Sequence, residues 1–102
     1  GEAESALRKG AALSPDSPEA HARLGVFLYA AGRLPSGRKE LERSRRLLAG
    51  YPLACLALSW MDLERNDADA ARAVLREALA HPVVDDRMRH DLTATLNSAE
   101  GR

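Results

Sequence analysis

A spacing of 34 residues recurs along this chain. Leu24, Leu58 and Leu92 are separated by that interval, and so are Gly32 and Asn66. A period of this length indicates one supersecondary unit that cannot bury its apolar face alone, so neighbouring copies stack around a continuous core. The spacing therefore predicts a helical repeat array, a kind of architecture that usually binds other proteins rather than catalysing reactions.

Chain length and charge narrow the possible partners. A chain of 102 residues is expected to form a single domain, 1–102. Its 15 basic and 15 acidic residues cancel, which removes the positive excess that binding to nucleic acid or to an anionic membrane normally requires. The longest apolar stretch, 52–63, is too short and too polar to cross a bilayer. We therefore expect a protein partner, no nucleic acid and no membrane.

The cysteine content and the first residues bear on where the protein works. Cys55 is the single cysteine, so the fold has no internal disulfide and tolerates a reducing compartment such as the cytoplasm. We expect Cys55 to act as a small buried apolar residue. The chain opens with Gly1 instead of methionine, which indicates that it was processed or belongs to a longer protein.

Apolar periodicity and turn residues predict six helices and no sheet. Ser17 and Asp85 are expected to cap helices, Gly32 to end one, and Pro82 to follow the end of another. The predicted helices cover 2–13, 18 to about 31, 35 to about 49, 52 to about 65, 68–80 and 86–98.

These features resemble the tetratricopeptide repeat family. The pair Leu24-Gly25 is similar to the Leu-Gly pair in the family's first helix, and 32–34 to its glycine-initiated turn. Second-helix core positions are matched by Ala71, Leu75, Ala78 and Leu79. The resemblance implies an all-α, right-handed superhelical solenoid of antiparallel helix pairs. It divides the chain into the second helix of an incomplete repeat (2–14), two repeats (18–51 and 52–85) and a terminal capping helix (86–98). Ser59, Asp62 and Gly37 depart from the family pattern.

The same resemblance implies a partner-binding groove. In this family the first helix of each repeat lines a concave surface. The implied groove residues are Ala22, Val26, Tyr29, Leu53, Leu56, Trp60 and Leu63. Arg87, Arg89 and His90 are candidates for a polar rim beside this groove. The helix at 52–63 is apolar nearly all round, as expected if one side packs in the core and the other receives a ligand. Two alternatives stay open: the helix is simply buried, including against another copy, and Arg87 and His90 belong to a solvated face.

Other kinds of site find little support. Of the positions that form a carboxylate clamp in some family members, only Arg87 keeps a suitable side chain. The segment 32–39 misses the lysine and hydroxyl of a phosphate-binding loop. The basic residues at 38–46 are interleaved with acids, and Glu42 is expected to pair with Arg46, so a solvated face is favoured over RNA contact. We expect no catalytic residues, no cofactor and no metal site.

Together these observations predict a non-catalytic interaction module, an adaptor or chaperone-like scaffold, that holds an apolar segment of a partner. One alternative is self-association through the helix at 2–14, which lacks its own partner helix. Another is a regulatory segment of a larger enzyme or of a secretion or assembly component.

Overall fold

In a computed structural model of the chain, residues 1–81 and 85–101 are described, and they form six α-helices without a strand. The helices are α1 (Glu2–Leu13), α2 (Pro18–Ala30), α3 (Leu34–Leu47), α4 (Pro52–Glu64), α5 (Ala68–Leu79) and α6 (Asp86–Ala99). The all-α fold and all six predicted helices are confirmed, with the largest shift at the end of α3. The expectation for Pro82 lies outside the described residues.

The chain folds as two compact units, Gly1–Leu48 and Ala49–Arg102. In the first unit α2 packs against both α1 and α3. In the second unit each of α4, α5 and α6 contacts the other two. The single domain 1–102 and the superhelical path of the array stay predictions.

Side-chain caps fix where three helices begin. The Ser17 hydroxyl accepts a hydrogen bond from the backbone N–H of Ala20 at 3.1 Å, ahead of Pro18 in the first turn of α2. The Asp85 carboxylate accepts from the N–H of Met88 at 2.8 Å. Both predicted caps are confirmed, and each satisfies a backbone donor that a helix start leaves without an intrahelical partner. Asp67 caps α5 in the same way.

The 34-residue period is also a period of backbone conformation. Gly32 has φ 82° and Asn66 has φ 60°, and both residues occupy the left-handed region after a first helix of a pair. The next residue's N–H then bonds the carbonyl five positions back, at 2.9 Å from Arg33 to Leu28 and at 2.8 Å after Asn66. This is the closing hydrogen bond of a Schellman turn, which directs the chain back along the helix it has just left.

Close helix approach in the first unit depends on two glycines. A Cβ on Gly25 would lie 2.6 Å from the Leu41 Cγ, and one on Gly37 would lie 3.0 Å from the Gly25 carbonyl oxygen. The corresponding positions in the second unit hold Ser59 and Ala71, both fully buried. The Ser59 hydroxyl is satisfied within its own helix by donating to the Leu56 carbonyl at 2.6 Å. The family departures at Gly37 and Ser59 therefore both lie at buried positions.

Each unit buries its own apolar residues. In the first, Ala11, Leu24 and Leu28 form a cluster, and Leu7 and Ala20 pack against it from the side. Fully buried leucines of the second unit include Leu75 and Leu92. Among the described residues no helix combines the length and apolar content that spanning a membrane requires.

Candidate functional site

The second unit carries an apolar stripe on α4. We call Leu53, Leu56, Trp60 and Leu63 the α4 stripe, because spacings of three and four residues place them on one face of the helix. Trp60 is 39 % exposed, and Leu53 and Leu63 are partly exposed. Leu56, one turn before Trp60, is only 4 % exposed and offers little surface to a ligand. The accessible part of the stripe is therefore centred on Trp60.

Apart from Glu64 at its end, the rest of α4 is buried, which explains why the helix is apolar nearly all round. Ala54, Ala57, Leu58 and Met61 are all buried. Cys55 is fully buried and donates from its thiol to the Ala49 carbonyl at 3.6 Å, so its expected role as a small buried residue is confirmed.

The first unit contributes the predicted residues on α2. Val26 and Tyr29 are three residues apart on one helix face, and both are half-buried. Ala22 is fully buried, so it presents no surface to a partner. The α2 residues and the α4 stripe belong to different units, and a groove formed jointly by them stays a prediction.

Arg87 and His90 lie on the exposed side of α6. The buried residues Leu92 and Ala99 mark the packed face of this helix. At 3.6 residues per turn, Arg87 and His90 lie on the side opposite Leu92. The His90 side chain is 83 % exposed, and its Nδ1 lies 3.7 Å from the carboxylate of the neighbouring Asp91. Both side chains are open to solvent, away from the face through which α6 packs in its unit.

A buried polar pair in the first unit was missed by the sequence interpretation. His21 Nδ1 lies 2.8 Å from the Glu40 carboxylate, and His21 Nε2 lies 2.9 Å from the Pro15 carbonyl oxygen. The second Glu40 oxygen accepts from the Arg43 guanidinium at 3.0 Å. His21 and Glu40 are 7 % and 8 % exposed. Each ring nitrogen of His21 therefore has a polar partner.

The pair could have been predicted by comparing the two repeats position by position. Thirty-four residues after His21 and Glu40 the chain has Cys55 and Val74. The bond from Cys55 to the Ala49 carbonyl corresponds, position for position, to the contact between His21 and the Pro15 carbonyl. Two polar residues that replace two apolar residues at matched positions indicate a polar contact across the helix pair.

An exposed ion pair joins α1 to the turn after α2. The Glu4 carboxylate accepts from Arg8 at 2.8 Å and from Arg33, whose Nη1 donates at 3.0 Å. Hydrogen bonds from Arg33 and then from Arg8 lower the pKa of Glu4 from 4.5 to about 2, because both guanidinium groups favour the ionised carboxylate. The same contact with Glu4 raises the pKa of Arg33.

We also searched the described residues for a metal-binding group of side chains. Among them, no group of three or more His, Cys, Asp or Glu side chains is arranged to hold a metal ion. The buried pair of His21 and Glu40 is occupied by its own internal contacts.

Comparison with known proteins identifies the repeat. Residues 1–48, which contain α1, α2 and α3, match the family model described as the tetratricopeptide repeat. No curated protein and no solved structure matches the chain significantly. The family match shows that residues 1–48 contain a tetratricopeptide repeat, and the 34-residue period and the paired helices of the described residues agree with this assignment.

Proposed function

We propose that the chain is a non-catalytic protein-interaction module, an adaptor or chaperone-like scaffold, that binds an apolar segment of a partner protein. The observation that carries the proposal is the exposure of Trp60, 39 %, between the partly exposed Leu53 and Leu63 on one face of α4. A tryptophan left accessible within an apolar stripe is typical of the anchor residues that dominate protein interfaces.

The other residues of the proposed surface have smaller roles. Leu53 and Leu63 flank the indole and would exclude water from it once a partner is bound. In the first unit, Val26 and Tyr29 on α2 are proposed as a further apolar contact for a partner. In the second unit, Arg87 and His90 on α6 are proposed to supply polar contacts. Cys55 is a free, buried thiol, as is usual for proteins of a reducing compartment. On that basis we propose that the protein works in the cytoplasm.

The test compares capture of partners by the parent chain and by Trp60→Ala. Purified chains serve as bait, and retained proteins are identified by quantitative mass spectrometry. We expect a partner that the parent retains and Trp60→Ala loses, because truncation removes the anchor side chain. Leu34→Ala is the matched control, since Leu34 is a large apolar residue, 44 % exposed, that belongs to none of the proposed surfaces.

A loss of binding is informative only if Trp60→Ala folds like the parent chain. Circular dichroism of Trp60→Ala must match that of the parent. If the folded variant retains the same partners in the same amounts, the α4 stripe is not the recognition surface.

Self-association is a second candidate, favoured by the exposure of Leu13 near the end of α1. A second copy that packs against α1 would remove this side chain from water. Sedimentation across micromolar concentrations is expected to show a dimer for the parent and less dimer for Leu13→Gln. A monomer at every concentration contradicts this candidate.

A further inference from the structure

Two adjoining cavities lie beside the buried pair in the first unit. One has a volume of about 310 Å³ and the other about 300 Å³. They share three lining residues, Pro15, His21 and Arg43. The first is completed by Arg46 and Leu47 from the last turn of α3. We call this first cavity the α3 pocket.

Hydrogen bonds hold the walls of the α3 pocket in place. His21 connects the Pro15 carbonyl to Glu40, and Glu40 in turn holds the Arg43 guanidinium at 3.0 Å. The Ser44 hydroxyl, fully buried, donates to the Pro18 carbonyl at 2.8 Å and ties α3 to the first turn of α2. A pocket with walls fixed in this way loses little conformational entropy when it binds a ligand.

The charge of the α3 pocket comes from Arg46. Arg43 is balanced by Glu40 at 3.0 Å. The prediction that Glu42 pairs with Arg46 is wrong, because Glu42 lies 3.6 Å from Arg45 instead. Within residues 1–81 and 85–101, Arg46 has neither a hydrogen bond nor an ion pair. Beside it, Leu47 is 42 % exposed. The pocket thus places an available cation next to an accessible apolar surface.

We infer that the α3 pocket binds a short acidic and apolar peptide segment of a partner protein. A carboxylate of the segment pairs with Arg46, and a neighbouring aliphatic side chain packs on Leu47 and Pro15. A peptide fits better than RNA, because the described lining residues include no Phe, Tyr or Trp, the His21 ring is buried and held by Pro15 and Glu40, and the chain has no net charge. All lining residues of the α3 pocket belong to the first unit, and Trp60 and the rest of the α4 stripe are not among them.

The test uses three acetylated, amidated pentapeptides titrated into the full chain labelled with ¹⁵N. The first has the sequence Asp-Glu-Leu-Leu-Asp, the second replaces its acids by the matching amides, and the third replaces its leucines by serines. We expect the first peptide to shift the amide signals of His21, Arg43 and Leu47 and to bind more tightly than the other two. Equal affinity for all three peptides, or no shift at millimolar peptide, overturns the inference.

Two variants and a control connect the affinity to the pocket. Arg46→Gln is expected to weaken the first peptide about three- to fivefold, the size of effect usual for an exposed ion pair. Leu47→Ser is expected to weaken it without changing the preference for acids over amides. Lys39→Gln removes a positive charge from the same helix outside the pocket and is expected to change nothing. If Lys39→Gln weakens binding as much as Arg46→Gln, the attraction is a general charge effect.

A titration with tetrauridylate tests whether the α3 pocket prefers RNA to an acidic peptide. Signal shifts at the pocket with the peptide and none with the oligonucleotide support the inference. Shifts at the pocket with the oligonucleotide alone overturn it in favour of RNA. Because Trp60→Ala leaves the α3 pocket untouched, failure of this inference and failure of the proposed function are distinguishable.

Discussion

His21 and Glu40 hold, in one repeat, positions that the other repeat fills with Cys55 and Val74. A buried polar pair is a costly way to join two helices, because desolvation of both groups offsets most of their attraction. Breaking such a pair is costlier still, since one polar group is then left buried without its partner. The second repeat therefore suggests a substitution that removes both groups together.

Replacing the pair by the residues of the second repeat should be tolerated, whereas single replacements should not. We expect His21→Cys or Glu40→Val alone to lower the free energy of unfolding by about 3 kcal/mol. The double variant His21→Cys/Glu40→Val is expected to lose less than either single variant, because neither polar group remains. Urea unfolding of the four chains measures these values. A double variant that loses the sum of both single losses contradicts this account.

Contacts between residues close in the sequence were easier to predict than contacts between residues far apart in it. The caps at Ser17 and Asp85 were predictable because each bonds an N–H only three residues away. The contact between His21 and Glu40 spans 19 residues and depends on how α2 meets α3. The burial of Leu56 and Ala22 also depends on packing, and a position on the expected helix face does not reveal it.

At the scale of elements, the crossing of α2 and α3 depends on the absence of side chains at Gly25 and Gly37. We expect Gly25→Ala to lower the free energy of unfolding by about 1–3 kcal/mol, because its Cβ would lie 2.6 Å from the Leu41 Cγ. Gly10→Ala is the matched control: nothing lies within 4 Å of its Cβ, and the helix should gain about 0.5–1 kcal/mol. Urea unfolding measures both changes, and a Gly25→Ala chain as stable as the parent would show that this crossing accommodates a methyl group.

The attachment of α1 to the turn after α2 should depend on pH through Glu4. Its folded-state pKa of about 2 lies below the ordinary 4.5, so its contribution to stability is complete above pH 4.5 and is lost as the pH falls toward 2. The difference in unfolding temperature between the parent and Glu4→Gln should be constant from pH 7 to 5 and shrink below 4.5. Thermal unfolding followed by circular dichroism measures it.

The control for this pH dependence is Glu2→Gln, which removes a carboxylate from the same first turn of α1. Other carboxylates titrate in every chain, so only differences between variants are informative. The difference in unfolding temperature from the parent is compared for the two variants. If it changes with pH in the same way for Glu4→Gln and Glu2→Gln, the contacts of Glu4 with Arg33 and Arg8 are not the cause.

At the scale of the whole molecule, the 34-residue period predicted the helices well because each boundary has a local chemical cause. Gly32 and Asn66 adopt the left-handed conformation that ends a helix, and Pro18 and Pro52 fit only the first turn of one. The functional surface was less predictable. Periodicity places Leu53, Trp60 and Leu63 on one face, but the exposure of Trp60 is a property of the folded unit.

The central claim is that partners bind over Trp60, and this residue is the chain's only tryptophan. The most direct measurement is acrylamide quenching of its fluorescence, with and without a captured partner segment that lacks tryptophan. Trp60 is 39 % exposed in the unbound chain, so binding should lower the quenching constant and shift the emission to shorter wavelength. Saturating partner that leaves both the quenching constant and the emission unchanged would contradict the claim.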